Sequence, residues 1–298
     1  MKWQGVIPAI TTPFRTDLSV DADLLVKQID ALVSAGCTGV VALGSLGEGG
    51  SLSFDEKKAI LRLCRETLKG RAALVSGVAA LTTAEAVRLA ELGAETGCDG
   101  LMVLPPYVYQ GDWRETRAHF CEVIAATPLP CMLYNNPIAY GTDVRPDELH
   151  ELADALPNLV AVKESSADVR RVTSIRALCG DRLCVLVGVD DVVVEGVQAG
   201  AVGWIAGLAD ALPEESVRLF DLASAGRVDE ARALYAWFLP LLRLDTVPKF
   251  VQLVKLVQQE TGLGSEVVRP PRLPLEGRER DEALALVRGA LTGRPRLS

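Results

Sequence analysis

Eight short, nearly continuous apolar runs recur along the chain, at 5–10, 39–43, 73–77, 100–104, 131–135, 159–163, 184–188 and 202–205. A strand wetted on one face alternates apolar with polar residues. An unbroken apolar run of this length fits a parallel strand covered on both faces. Parallel strands need long crossovers, and the segments between the runs carry helix signals. Ser53, Thr82 and Asp112 each stand three residues before a glutamate (Glu56, Glu85, Glu115), and the serine and threonine cases are expected to form reciprocal capping boxes. Gly36, Gly70, Gly97, Gly180 and Gly200 follow helical stretches, where a left-handed residue ends a helix at little cost. Leu25, Ile29, Leu32 and Val33 share one helical face, and Pro146 suits a first turn. Eight such units predict a (β/α)8 barrel, the TIM-barrel architecture, over residues 1–225. The alternative is a doubly wound sheet. Its dinucleotide-binding form wants G-x-G-x-x-G after the first strand, where Ile10–Phe14 reads I-T-T-P-F.

After Gly226 the pattern changes. Helices are expected at 228–244, 247–261 and 277–291 without strands between them, and R-P-P-R-L-P-L at 269–275 reads as an extended linker. Residues 226–298 are therefore expected to form a small C-terminal helical appendage.

A net charge of −8 opposes a broad nucleic-acid or anionic-membrane surface. Seven scattered cysteines form no C-x-x-C pair, and His119 and His150 are the only histidines. This composition argues against a Cys/His zinc site and predicts buried thiols in a reducing compartment. The N-terminal stretch lacks a long apolar core of the secretory type, and no apolar run is long enough to span a bilayer. A cytoplasmic protein is expected.

Barrel chemistry collects where strands end. Lys163 closes the run L-V-A-V-K, where desolvation disfavours the ammonium form and frees an amine to attack a carbonyl or imine. The bland reading is a lysine that snorkels to the rim or pairs with Glu164. Tyr134 ends the preceding strand, within reach of the same substrate, and a phenol there can move protons; alternatively it packs on a loop. The loop G-S-L-G-E-G-G at 44–50 frees backbone amides for a carboxylate, and Ser45 adds a hydroxyl. A flexible turn would look the same. Glu48 reads as a structural carboxylate bonding loop amides. Tyr107 can complete a proton relay or pack in a subunit contact. Asp190 reads as a helix N-cap and His119 as a surface residue of a helix.

G-S-L-G-E at 44–48, Y-N-N-P at 134–137 and V-K-E-S-S at 162–166, in this order and each at a strand end, resemble the dihydrodipicolinate synthase/N-acetylneuraminate lyase family over essentially the whole chain. The resemblance implies a class I, Schiff-base mechanism with no metal or cofactor, and a homotetramer built as a dimer of dimers. It implies Lys163 as the Schiff-base lysine, Tyr134 as the proton shuttle and Ser45 as a carboxylate ligand. Leu46, Gly47, Tyr107, Asn135 and Gly188 are expected to line a small keto- or imino-acid substrate. Two positions depart from the synthase pattern. Leu46 replaces a second hydroxyl residue, and Ala139 stands where the synthase carries an arginine two residues after its proline. The stretches 134–138, 163–171, 188–191, 237–245 and 269–273 resemble the Δ1-pyrroline-4-hydroxy-2-carboxylate deaminases of hydroxyproline breakdown. The alternatives are a 2-keto-3-deoxy sugar-acid aldolase or dehydratase, a synthase-like protein, and a non-catalytic keto-acid-binding barrel.

Overall fold

The structure, a computed structural model, describes residues 1–296. Its strands are β1 (Gly5–Pro8), β2 (Gly39–Ala42), β3 (Ala73–Val78), β4 (Gly100–Val103), β5 (Cys131–Asn135), β6 (Leu159–Glu164), β7 (Cys184–Val187) and β8 (Gly203–Ala206). All pair in parallel, in the order β1-β8-β7-β6-β5-β4-β3-β2. The seam between β1 and β2 is stitched by Ile10 N donating to Val41 O and Thr38 N donating to Val6 O, both at 2.9 Å. The result is the expected (β/α)8 barrel.

The unbroken apolar runs have a direct cause. Alternate side chains point to opposite faces of each strand, and both faces are dry. Ile7, Val41, Val75, Met102, Met132, Ala161, Leu186 and Ile205 fill the barrel interior. Their neighbours Val6, Val40, Leu74, Leu101, Leu133, Val162, Val185 and Trp204 pack outward in the core cluster shared with the helices. Leu25, Ile29 and Leu32 of the first helix, Ala22–Ser34, belong to that outer core.

The caps differ in two respects from expectation. Ser53 and Asp112 form reciprocal boxes with Glu56 and Glu115, whereas Thr82 only accepts from the Glu85 amide. Pro146 opens the helix Pro146–Ala155. His119 is buried rather than on the surface. It sits on the inner face of its helix, its Nδ1 is 2.9 Å from Thr83 Oγ1, and burial lowers its pKa. Five of the seven cysteines are buried and all seven are free. Among the described residues, no helix is long and apolar enough to cross a membrane.

The C-terminal helices are Val228–Leu242, Phe250–Thr261 and Gly277–Thr292. The first ends two residues short of its expected limit, and the chain tightens into a 3₁₀ turn at Arg243–Thr246. Lys255, on the buried face of Phe250–Thr261, reaches Glu48 in the loop after β2. Its Nζ lies 2.5 Å from Glu48 Oε1 and donates to Val267 O at 2.8 Å. Both side chains are almost fully buried, and burial lowers Lys255 to about 8. Arg269 N donates to the other Glu48 oxygen at 3.0 Å. Glu48 does bond a backbone amide, but its main partner is a lysine more than two hundred residues away. The pair fastens the C-terminal region to the loop that carries Ser45.

Replacing one member of a buried ion pair strands the other, at a cost of about 3–5 kcal/mol. Lys255→Met is expected to lose that much stability in denaturant unfolding, and adding Glu48→Gln is expected to recover part of it. A loss below about 1 kcal/mol, the scale of an exposed pair, would mean that Arg272, 3.9 Å from Glu48, takes over the carboxylate.

Candidate active site

Strand alternation carries Tyr134, Lys163, Ser165 and Gly188 to the inner face at the C-terminal rim. Each lies two residues beyond an interior residue of its strand: Met132, Ala161, Lys163 and Leu186 respectively. Tyr134 and Lys163 are register partners on β5 and β6. The Lys163 Nζ lies over the Tyr134 ring, 4.0 Å from its centroid, and Lys163 is 7% exposed. It does not pair with Glu164. That carboxylate lies on the outer face, where it accepts from Asn135 Nδ2 at 3.1 Å and Ser166 N at 2.7 Å. Room for the lysine comes from Gly188, the residue that follows β7. A Cβ there would stand 2.0 Å from Ser165 Oγ and 2.6 Å from Lys163 Cγ.

Hydroxyls surround this amine. Ser45 Oγ shares hydrogen bonds with Tyr140 Oη at 2.5 Å and Tyr107 Oη at 3.3 Å. The Tyr140 ring packs edge-on against Tyr134 and tilted against Tyr107, both at 5.6 Å between centroids. Burial pushes the Tyr140 and Tyr107 phenols above the usual range, and their neighbouring phenols push Tyr140 further. Asn136 Nδ2 donates to the Tyr134 hydroxyl at 3.0 Å. The cluster is thus an amine, three phenols and a serine, fed from β2, β4, β5 and β6.

Other expected residues lie elsewhere. Leu46 is turned into an apolar cluster with Val251, Val254 and Val268. Asn135, one residue beyond Tyr134, faces outward and holds the loop through Asp143 and the Val144 amide. Gly47 packs against the segment that follows β1, where its carbonyl accepts from Thr12 Oγ1 at 2.7 Å and a Cβ would meet Ile10 O at 2.8 Å. Asp190 makes no helix cap. It is fully buried and takes the Trp204 indole and the amides of Gly207 and Leu208, so it ties the end of β7 to that of β8. Burial raises it to about 6 despite these donors. Three residues not singled out from sequence join the site: Tyr140, Ser165 and Asp245. Ser165 Oγ is buried without a hydrogen-bond partner among the described residues. The signal for Ser165 was present in V-K-E-S-S, since it lies two residues past the lysine on the same face.

A (β/α)8 barrel with an amine among hydroxyls at its C-terminal rim is the architecture of the Schiff-base-forming lyases. Residues 2–290 match the model of the dihydrodipicolinate synthetase family, and the chain belongs to that family. It is similar to proteins named 4-hydroxy-tetrahydrodipicolinate synthase. One from Methanothrix thermoacetophila is 31% identical over 97% of this chain and 96% of that protein. Another, from Phenylobacterium zucineum, is 32% identical over 97% of each. Among solved structures, the 4-hydroxy-tetrahydrodipicolinate synthase of Methylacidiphilum fumariolicum superposes with a TM-score of 0.92 at 27% identity, covering 98% of both chains. YagE, a prophage protein of the same family from E. coli solved with pyruvate, superposes with a TM-score of 0.91 at 27% identity, covering 98% of this chain and 99% of its own.

Gly188→Ala tests the packing of the amine. The added methyl must displace Ser165 or the lysine stem. Borohydride-trappable adduct formation with pyruvate is expected to slow at least about tenfold, since a misplacement near 1 Å can cost about 10²-fold. Trapping at the wild-type rate would show that the lysine stem moves aside freely.

Proposed function

We propose that the chain is a Schiff-base lyase acting on one small 2-oxo or cyclic 2-imino acid, and that its reaction is the dehydrating deamination of Δ1-pyrroline-4-hydroxy-2-carboxylate. Lys163 is the nucleophile, Tyr134 moves protons at C3, and Ser45 with its loop amides holds the single carboxylate. The observation that carries this reading is the cation missing from the short helix Pro137–Tyr140. Ala139 replaces the arginine of the synthase pattern, and its neighbour Tyr140 bonds Ser45 instead. The arginines of the segments that follow this helix are committed elsewhere: Arg145 to Glu148 at 2.8 Å, Arg170 to both oxygens of Asp168, and Arg171 to Asp143. A second carboxylated substrate would lack its charge-assisted clamp here.

The steps balance. Lys163 Nζ attacks C2 of the cyclic imine, and the C2–ring-nitrogen bond breaks to give an open-chain Schiff base with a C5 amine. The iminium acidifies C3, and Tyr134 as phenolate, or a water it orients, takes the C3 proton. The C4–O bond then breaks and water leaves. Tautomerisation then places one proton on C3 and one on C4 and removes one from C5 and one from its nitrogen, which leaves an imine at C5. One water hydrolyses that imine to release ammonia, and a second hydrolyses the Lys163 imine to release 2,5-dioxopentanoate. One water is lost and two are taken up, so one is consumed overall.

A second reading is 4-hydroxy-tetrahydrodipicolinate synthesis, favoured by the names of the relatives above. The two are separated by paired assays on purified protein: ammonia release from the hydroxy-pyrroline, and a reductase-coupled assay with pyruvate and aspartate semialdehyde. Ammonia release with synthase turnover at least about 10²-fold lower is expected, the scale of about 3 kcal/mol for a lost charge-assisted pair. Robust synthase turnover without ammonia release would replace the deaminase reading with the synthase one.

A further inference from the structure

The 3₁₀ turn Arg243–Thr246 reaches back over the barrel mouth and delivers Asp245 to it. Gly207, which follows β8, lies two residues past Ile205 and so faces the interior. A Cβ at Gly207 would stand 2.3 Å from Asp245 Oδ1 and 3.0 Å from Oδ2, so the carboxyl fills the space that this glycine leaves. On the adjoining strand the Lys163 stem fills the space left by Gly188 in the same way. Neighbouring strands lie about 4.8 Å apart. Lys163 and Asp245 thus occupy adjacent notches in one wall of the rim. Arg243, two residues earlier in the turn, is directed to Asp191 at 3.5 Å and not to Asp245. Among the described residues Asp245 has no ion-pair partner, while the buried Ser165 hydroxyl at the Gly188 notch has no hydrogen-bond partner. Two polar groups beside the amine are therefore left for a ligand.

The direction of the substrate follows from the trigonal C2 held by Lys163. In the proposed function its carboxylate turns toward Ser45, Tyr107 and Tyr140, which come from the β2, β4 and β5 side. The remaining carbon chain is left to run toward β7 and β8, under Asp245. We propose that Asp245 recognises a hydroxyl carried two carbons beyond the Schiff-base carbon and, in the deaminase reaction on which this inference rests, acts as the acid that lets it leave. The electron pair of the enamine forms C3=C4, the C4–O bond breaks, and the Asp245 carboxyl gives its proton to the departing oxygen, which leaves as water. The Asp245 carboxylate then takes a C5 proton during tautomerisation and is restored. Burial, reinforced by Asp190 and Asp210 and opposed by Lys163, raises Asp245 well above the usual carboxylate range, as an acid in this role requires. The same acidic wall of Asp245, Asp190 and Asp210 disfavours a substrate whose far end, lying under Asp245, is a second carboxylate.

The test uses borohydride trapping and whole-protein mass on wild type, Asp245→Asn and Asp245→Ala. The probes are pyruvate, 2-oxopentanoate and 4-hydroxy-2-oxopentanoate, the last two differing by the hydroxyl alone. Wild type is expected to trap or consume the hydroxylated acid about tenfold faster than its deoxy counterpart, the scale of one hydrogen bond. Asp245→Asn and Asp245→Ala are expected to reduce that preference, each rate taken relative to pyruvate trapping by the same variant, to within about twofold. No preference in wild type, an unchanged preference in both variants, or a parallel loss with all three probes would overturn the assignment. A second arm uses the hydroxy-pyrroline, for which Asp245→Asn is expected to accumulate the adduct that still carries its hydroxyl. If wild type releases no ammonia from that compound but the hydroxyl preference still vanishes in Asp245→Asn, the deaminase reading fails and the assignment of Asp245 stands.

Discussion

Eight parallel strands of a closed barrel end on one rim, and their alternation sends every second side chain inward. Below the rim the interior is wholly apolar, packed with Met102, Met132, Leu186 and Ile205. Polar groups are admitted only in the last inward positions, so a lysine, a tyrosine and a serine from β5 and β6 meet there without any local sequence relation. Two glycines at equivalent inward positions, Gly188 and Gly207, then decide what else enters. One makes room for the lysine stem of its own barrel wall, the other for a carboxyl from the C-terminal turn.

The C-terminal region touches the chemistry at two points. Lys255 holds Glu48, the left-handed residue three positions after Ser45, and so fixes the loop proposed to bind a carboxylate. The turn preceding that helix supplies Asp245. The buried ion pair and the turn at the barrel mouth therefore belong to one C-terminal region. An ion pair this deep costs much to desolvate and is defended only by good geometry and further donors, which Arg269 N and Val267 O provide. Phe14 lies beneath both cations, 4.5 Å from Lys255 Nζ and from the Arg269 guanidinium.

The barrel was legible because dryness on both faces writes itself as unbroken apolar runs, and each observed strand falls within two residues of its run. Lys163, Tyr134 and Ser45 were legible for the same reason, as polar residues closing such runs. Asn135 and Leu46 were not separable from them by position. A shift of one residue reverses the face, and the pleat turns Asn135 outward while the loop turns Leu46 into the cluster around Val254. Tyr140 and Asp245 lie in a short helix and a 3₁₀ turn, which carry no periodicity that fixes direction. Lys255 did leave a trace, as a lone cation in the apolar stretch F-V-Q-L-V-K-L-V, but its partner lies across the fold and no spacing reveals it. Asp190 begins a helical turn, as a cap residue would, yet its oxygens are taken by β8.

The central claim is that Lys163, and no other amine, forms the covalent bond. Reducing the protein with borohydride in the presence of pyruvate and mapping the product by peptide mass spectrometry tests it directly. The account predicts one adduct, on the peptide containing Lys163, with Lys255 unmodified although it too is buried and its pKa is lowered to about 8. An adduct on Lys255 or any other lysine, or no adduct at all, would contradict it.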